Sequence, residues 1–342
     1  MRFVHTADLH LDAKTAALAC RAALRRGAVD GFEEMIRYAR ERDIRYIVIA
    51  GDLFDTPHPS AAVSGRVAEL MKNAPEITFL LICGNHDAPD GDRYADIDLP
   101  ENARLFGKTP EYFPVAGGGF FGCGFGGELP AEMPRHPGTT VGIFHGRIGD
   151  PDPRLCLTRE WIERSGLSYL ALGHLHKMFG PERIGGTWTA HPGSPNAHGF
   201  DETGARYFFD VSIEGGAVEI RPVETGAARF WEETVDTSGL TYAELSAKLA
   251  SAAAAYDEKD VIRFRLTGAC AYPLPAAVED YPNVAEIIDE TTLPADSEEI
   301  AARPGLKGLF TKYMLEKIRA ADGEEKRVRE AALKLGWEAF DR

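Results

Sequence analysis

The chain has 342 residues, a hydrophobic fraction of 44% and a formal net charge of −15. That length exceeds what one hydrophobic core usually serves, so two domains are expected, and the charge excludes a basic surface that coats nucleic acid without specificity. No apolar run approaches the ~20 residues that cross a bilayer, no secretory leader is expected at residues 1–8, and five scattered cysteines without a Cys-x-x-Cys pair predict a reducing cytoplasm and no cysteine zinc site.

Residues 3–6 predict a short strand. Phe32, Met35, Ile36 and Ala39 recur at helical spacing, which predicts a helix over 30–42. A β-branched run predicts a strand over 44–50, followed by a helix over 62–73 and a strand over 77–83. Further strands are predicted over 140–144 and 169–172, each followed at once by histidine. Two strands over 206–213 and 217–223 flank Glu214-Gly215-Gly216, a hairpin signal. Strands alternating with helices, then a run of strands, predict an α/β layered domain that ends in antiparallel strands. Beyond Phe230 the pattern changes to an alanine-rich helix over 241–255 and strands over 261–267 and 284–290. Residues 294–304 read as an acidic linker, and 306–340 as helix broken near Asp322-Gly323.

Five short motifs occur in order: Asp8-Leu9-His10, Gly51-Asp52, Gly84-Asn85-His86-Asp87, His145, and Gly173-His174-Leu175-His176. Half of the ten histidines fall in them. Each stands at the C-terminal end of a predicted strand, where α/β sheets place their ligands. Residues two apart on a strand share a face, so Asp8 with His10, and His174 with His176, are expected to address one ion. Asp52 can bridge two cations through its carboxylate, and Asn85 offers an amide oxygen. This mixture suits Mn²⁺, Fe²⁺ or Zn²⁺ better than Mg²⁺.

On these motifs the sequence resembles the calcineurin-like metallophosphoesterase family. The resemblance implies a four-layer β-sandwich flanked by helices and two divalent ions. One ion would be held by Asp8, His10, Asp52 and His176. The other would be held by Asp52, Asn85, His145 and His174. His86 would contact the scissile phosphate and aid the leaving group, with Asp87 orienting it. The residues alone leave open a phosphatase or phosphodiesterase for small molecules or lipid precursors.

A narrower resemblance rests on residues 3–11, Ala50-Gly51-Asp52-Leu53-Phe54-Asp55, the third and fifth motifs, and Pro192-Gly193-Ser194. These look like the SbcD-type DNA repair exonucleases. That branch implies Mn²⁺, DNA as substrate, a homodimer, and a coiled-coil ATPase of the SbcC type gripped by C-terminal helices. The implied domains are a nuclease domain over 1–228, a small α+β capping domain over 229–295 and a helical segment over 305–342. His191 and Ser194 are candidate substrate contacts. Lys14, Arg21, Arg25 and Arg26 form a basic cluster that could meet a DNA backbone, and His5 reads as structural. Leu306, Leu309, Phe310, Tyr313, Met314 and Ile318 make a broad apolar stripe, joined by Val328, Ala331, Leu335 and Trp337 on a second helix.

Overall fold

A computed structural model of the chain describes residues 1–13, 27–87, 94, 97–131, 133–274 and 281–341. The basic cluster of Lys14, Arg21, Arg25 and Arg26 lies outside them. The chain divides into two compact units, Met1–Arg229 and Phe230–Arg342. The first contains strands β1 (Arg2–Thr6), β2 (Tyr46–Ala50), β3 (Thr78–Ile82), β4 (Ala103–Phe106), β5 (Glu111–Val115), β6 (Gly118–Cys123), β7 (Thr139–His145), β8 (Arg147–Ile148), β9 (Cys156–Leu157), β10 (Tyr169–Gly173), β11 (Phe179–Ile184), β12 (Thr187–His191), β13 (Tyr207–Glu214) and β14 (Ala217–Glu224). Its helices are α1 (Gly27–Glu41), α2 (Ala61–Lys72) and α3 (Arg159–Ser165).

Alternation along these strands produces four layers. Two six-stranded sheets have the orders β14-β13-β1-β2-β3-β4 and β11-β12-β10-β7-β6-β5. In the first sheet, Val4, Ile47, Ile49, Phe79 and Leu81 face outward and pack on Phe32, Met35, Ile36 and Ala39 of α1 and on Val67 and Met71 of α2. Their neighbours Phe3, Val48, Leu80 and Ile82 face inward, against Phe120, Val141, Ile143, Tyr169 and Ala171 of the second sheet. That sheet turns Phe144, Leu170 and Leu172 outward onto Ile162 of α3. Strands buried on both faces read as continuous apolar runs, which is why 44–50 and 77–83 were legible as strands. β1–β4 run parallel, as do β6, β7, β10 and β12. The hairpin of β13 and β14 closes the first sheet antiparallel to β1. His5 is structural: its Nδ1 lies 2.8 Å from the Tyr169 hydroxyl between the sheets.

The second unit has a parallel sheet of β15 (Phe230–Asp236), β16 (Val261–Thr267) and β17 (Val284–Asp289), in that order. Helix α4 (Tyr242–Ala253) starts with a capping box between Thr241 and Glu244 and packs Leu245 and Leu249 on Ile262, Phe264 and Leu266. The stretch expected as an acidic linker contains a helix, α5 (Ser297–Ala302). Ile300 and Ala301 pack with α6 (Leu306–Arg319) and α7 (Gly323–Asp341), and Glu298 and Glu299 suit the positive end of the short helix. The apolar stripe of α6 splits in two. Phe310, Met314 and Ile318 pack with Leu333 and Trp337, whereas Leu306, Leu309 and Tyr313 are exposed, as are Val328 and Leu335 on α7. No helix among the described residues is long and apolar enough to cross a membrane.

One ionic node ties β13 to β1 and α1. Asp210 accepts from Arg2 at 3.0 and 2.7 Å, Tyr38 at 2.8 Å and Arg221 at 2.5 Å. Burial alone would raise its pKa, but these donors win and hold it at about 2. A depressed carboxylate stabilises the fold above its unfolded pKa and loses that contribution as pH falls through the folded value. Asp210→Asn is therefore expected to cost about 1–2 kcal/mol at pH 7. In urea unfolding the gap to the parent should be full above pH ~4 and close as pH approaches 2.

Candidate metal centre

Strands β1, β2 and β3 of one sheet and β7, β10 and β12 of the other all run toward one shared end. The ends of β1, β2, β3, β7 and β10 carry the five motifs. Apart from His145, the last residue of β7, the ligands stand past the strands rather than in them: β1 ends at Thr6 and β10 at Gly173. Strand alternation therefore does not bring Asp8 beside His10, or His174 beside His176, as expected from sequence. Left-handed backbone is what brings Asp8 beside His10. Asp8, His10, Asp52 and His174 have φ of 53°, 44°, 50° and 89°, a region that side-chain-bearing residues enter rarely and under strain. The strained loops brace one another. The N–H of Asp8 donates to Gly51 O (3.1 Å), that of His10 to Asp52 O (3.1 Å) and that of Leu11 to Leu53 O (3.0 Å). Glycine permits the approach: a Cβ on Gly84 would sit 2.1 Å from Asp52 Oδ1, and one on Gly173 2.0 Å from Ala50 O.

These loops bring together Asp8, His10 and His176 in one group, and Asp8, Asp52 and His145 in another, with donor atoms of each group within 4.8 Å of one another. Asn85 Oδ1 lies 2.9 Å from His145 Nε2. His174 enters neither group; its N–H donates to both Asp8 oxygens (2.8 and 3.0 Å) and its ring lies 5.5 Å from that of His145. His86 is 44% exposed, its ring 4.7 Å from that of His10.

The site is short of positive charge. Asp8 and Asp52 are 0% and 1% exposed, and among the described residues their ion pairs are with histidines. Burial, reinforced by Asp52, pushes the Asp8 acid up to about 6 against the opposing pull of His145. Burial would lower His145, yet Asp52 and Asp8 push it up to about 9. His10 falls to about 3 because burial opposes its charged form, and its buried Nδ1 faces the Asp55 carboxylate without making a hydrogen bond. Imidazole, carboxylate and amide donors converging on buried anions fit divalent cations.

Four of these histidines also turn an outward nitrogen toward a nearby oxygen. His145 Nδ1 lies 2.9 Å from Ala50 O, His176 Nδ1 2.5 Å from Glu202, His10 Nδ1 3.2 Å from Asp55 and His174 Nε2 3.3 Å from Asp150. Such outer partners fix the ring and its tautomer. Asp55, Asp150 and Glu202 went unread in the sequence. Asp55 lies inside a motif already quoted, but Glu202, 26 residues past His176, has no local signal.

Two expected roles change. Asp87 does not orient His86: it is buried, and it accepts from the N–H groups of Gly84 (2.8 Å), Leu53 (2.8 Å) and Phe54 (3.4 Å). It clamps the second and third loops together, and the carboxylate beside His86 Nδ1 is that of Asp55, at 3.5 Å. Ser194, expected to meet substrate, is enclosed and donates to Glu202 at 2.8 Å. His191, the last residue of β12, is also buried, with Nδ1 unpaired.

Residues 1–178 match the calcineurin-like phosphoesterase family. The chain belongs to the calcineurin-like phosphoesterases. That family comprises phosphoesterases that bind divalent metals. The chain is 27% identical over 243 residues to an uncharacterized metallophosphoesterase, YhaO, of Bacillus subtilis (strain 168), covering 64% of this chain and 59% of that one. It is 28% identical over 294 residues to the DNA double-strand break repair protein Mre11 of Haloferax volcanii, covering 82% and 64%. A third relative, the SbcD component of the nuclease SbcCD of Bacillus subtilis, is 38% identical over 93 residues, covering 26% and 23%. The chain thus spans less than two thirds of the length of these relatives.

The close packing at Gly84 makes a direct prediction for this phosphoesterase. Gly84→Ala must displace the Asp52 carboxylate. Divalent-metal affinity, read by calorimetric titration, should fall at least tenfold while far-ultraviolet circular dichroism stays that of the parent.

Proposed function

We propose that this phosphoesterase is a Mn²⁺-dependent DNA exonuclease of DNA repair, with endonuclease activity on single strands. The observation that carries the reading is the half-exposed His86 at the rim of a buried carboxylate–histidine centre. DNA as substrate is supported by the similarity to Mre11 and to the SbcD component of the nuclease SbcCD.

In this reading Asp8, His10, Asp52 and His176 hold one ion, and Asp52, Asn85, His145 and His174 the other. A bound pair of divalent cations lowers the pKa of a water and offsets the charge of the phosphate oxygens. His86 does the remaining proton work. Asp55 stands by its Nδ1, which leaves Nε2 to face the phosphate and donate to the leaving oxygen. His191 contacts substrate beside the second ion. Asp87 and Ser194 serve by holding the loops that carry these groups.

Residues 229–295 form the DNA-capping part, and the helices within 305–342 dock on the coiled coil of an SbcC-type ATPase. The exposed Leu306, Leu309 and Tyr313 supply the i, i+3, i+7 contacts such a groove takes. The working form is a cytoplasmic homodimer.

Digestion of end-labelled DNA with Mn²⁺ tests the activity. The parent should shorten the strand; His86→Ala should still take up two ions yet cut ~10²–10⁴-fold more slowly. Turnover of bis-p-nitrophenyl phosphate with no DNA cleavage would instead favour a small-molecule phosphodiesterase. Leu309→Asp combined with Tyr313→Asp should abolish pull-down of the ATPase coiled coil and leave metal uptake unchanged.

A further inference from the structure

Glu202 lies in no sequence motif, yet it is 3% exposed and faces the metal centre from behind. Burying a carboxylate is unfavourable unless its oxygens are hydrogen-bonded. Here both are. Oε1 lies 2.5 Å from His176 Nδ1. Oε2 accepts from the Ser194 hydroxyl (2.8 Å) and from the N–H of His198 (3.2 Å). The guanidinium of Arg206, itself buried, stands 3.9 Å away as countercharge. Arg206 also donates to the carbonyl of His176, the Ser194 carbonyl (2.9 Å) and the Ser194 hydroxyl (2.9 Å). The N–H of Ser194 returns a bond to His176 O at 3.1 Å. One network therefore holds both the ring and the backbone of His176.

The result is directional. With Nδ1 toward Glu202, His176 turns Nε2 inward, 3.1 Å from His10 Nε2 and grouped with Asp8. We propose that Glu202 is a positioning residue: it accepts the Nδ1–H of His176, fixes that tautomer, keeps the Nε2 lone pair aimed at the first ion, and so sets that ion's affinity. Pro192-Gly193-Ser194 is then a support for a ligand rather than a contact for substrate. The inference rests on the metal-centre reading. The competing role, neutralising Arg206 for stability alone, requires no link between Glu202 and metal affinity.

Titration of the metal-free full chain with MnCl₂, read by calorimetry, separates the two. Glu202→Gln keeps the size and one accepting oxygen and removes the charge. One of two sites should weaken 10–100-fold and the other hold. In a His176→Ala background, Glu202→Gln should lower affinity no further, because the group it positions is gone. Equal losses in both backgrounds, or unchanged affinity in Glu202→Gln, would overturn the proposal. Should that variant not fold, Ser194→Ala removes one donor to Glu202 and must by itself weaken the same site several-fold; no change there also overturns it. A parent chain that takes up no Mn²⁺ would instead reject the metal-centre reading from which this one starts.

Discussion

Two carboxylates, Asp8 and Asp52, are enclosed where the ends of two mixed sheets meet, and their mutual repulsion organises the region around them. A buried anion without a partner is among the least tolerable features a fold can carry. Two side by side demand positive charge, and His145 registers that demand in its raised pKa. The backbone accepts strain at Asp8, His10, Asp52 and His174 to aim donors at the same point. Such strain persists only where surrounding structure over-determines it. Here that structure is the ladder of N–H groups joining the first two loops and the Asp87 carboxylate joining the second and third.

The outward-facing nitrogens show how rigidity is built without extra core. Four histidines each face an oxygen on the outer side: a carbonyl at Ala50, a half-exposed carboxylate at Asp55, and buried carboxylates at Asp150 and Glu202. A ring held at one nitrogen presents a lone pair at the other in a known direction. The donors are oriented before any ion arrives, and little entropy is left to lose on binding.

The second unit manages charge differently. On its sheet, Arg263 and Arg265 of β16 pair with Glu232 on β15 and with Glu286 and Glu290 on the far side. Cross-strand pairs of this kind stabilise the sheet modestly and leave that face near neutral. An acidic chain of this kind can concentrate affinity for anions at a metal centre rather than spread it over a basic surface.

Periodicity and burial made most strands and helices legible before any coordinates. The helix at 30–42, the runs at 44–50 and 77–83, and the hairpin around Gly215 depend on local alternation that the sheets only had to accept. The ligand types were legible too, because Asp, His and Asn in ordered motifs carry their chemistry wherever they are put. The short strands β5, β6, β11 and β12 and the helix at 297–302 were not: their apolar residues are few and become meaningful only against neighbours such as Phe106 or Trp337. Nor could local pattern show that Asp8 and His10 leave the strand, that Asp87 binds backbone instead of His86, or that Glu202 stands behind His176. By itself the sequence determined which groups this protein can offer to a cation and a phosphate. Tertiary structure alone decided which of them point inward and which hold the others still, because direction depends on left-handed turns and on contacts between residues far apart in the chain.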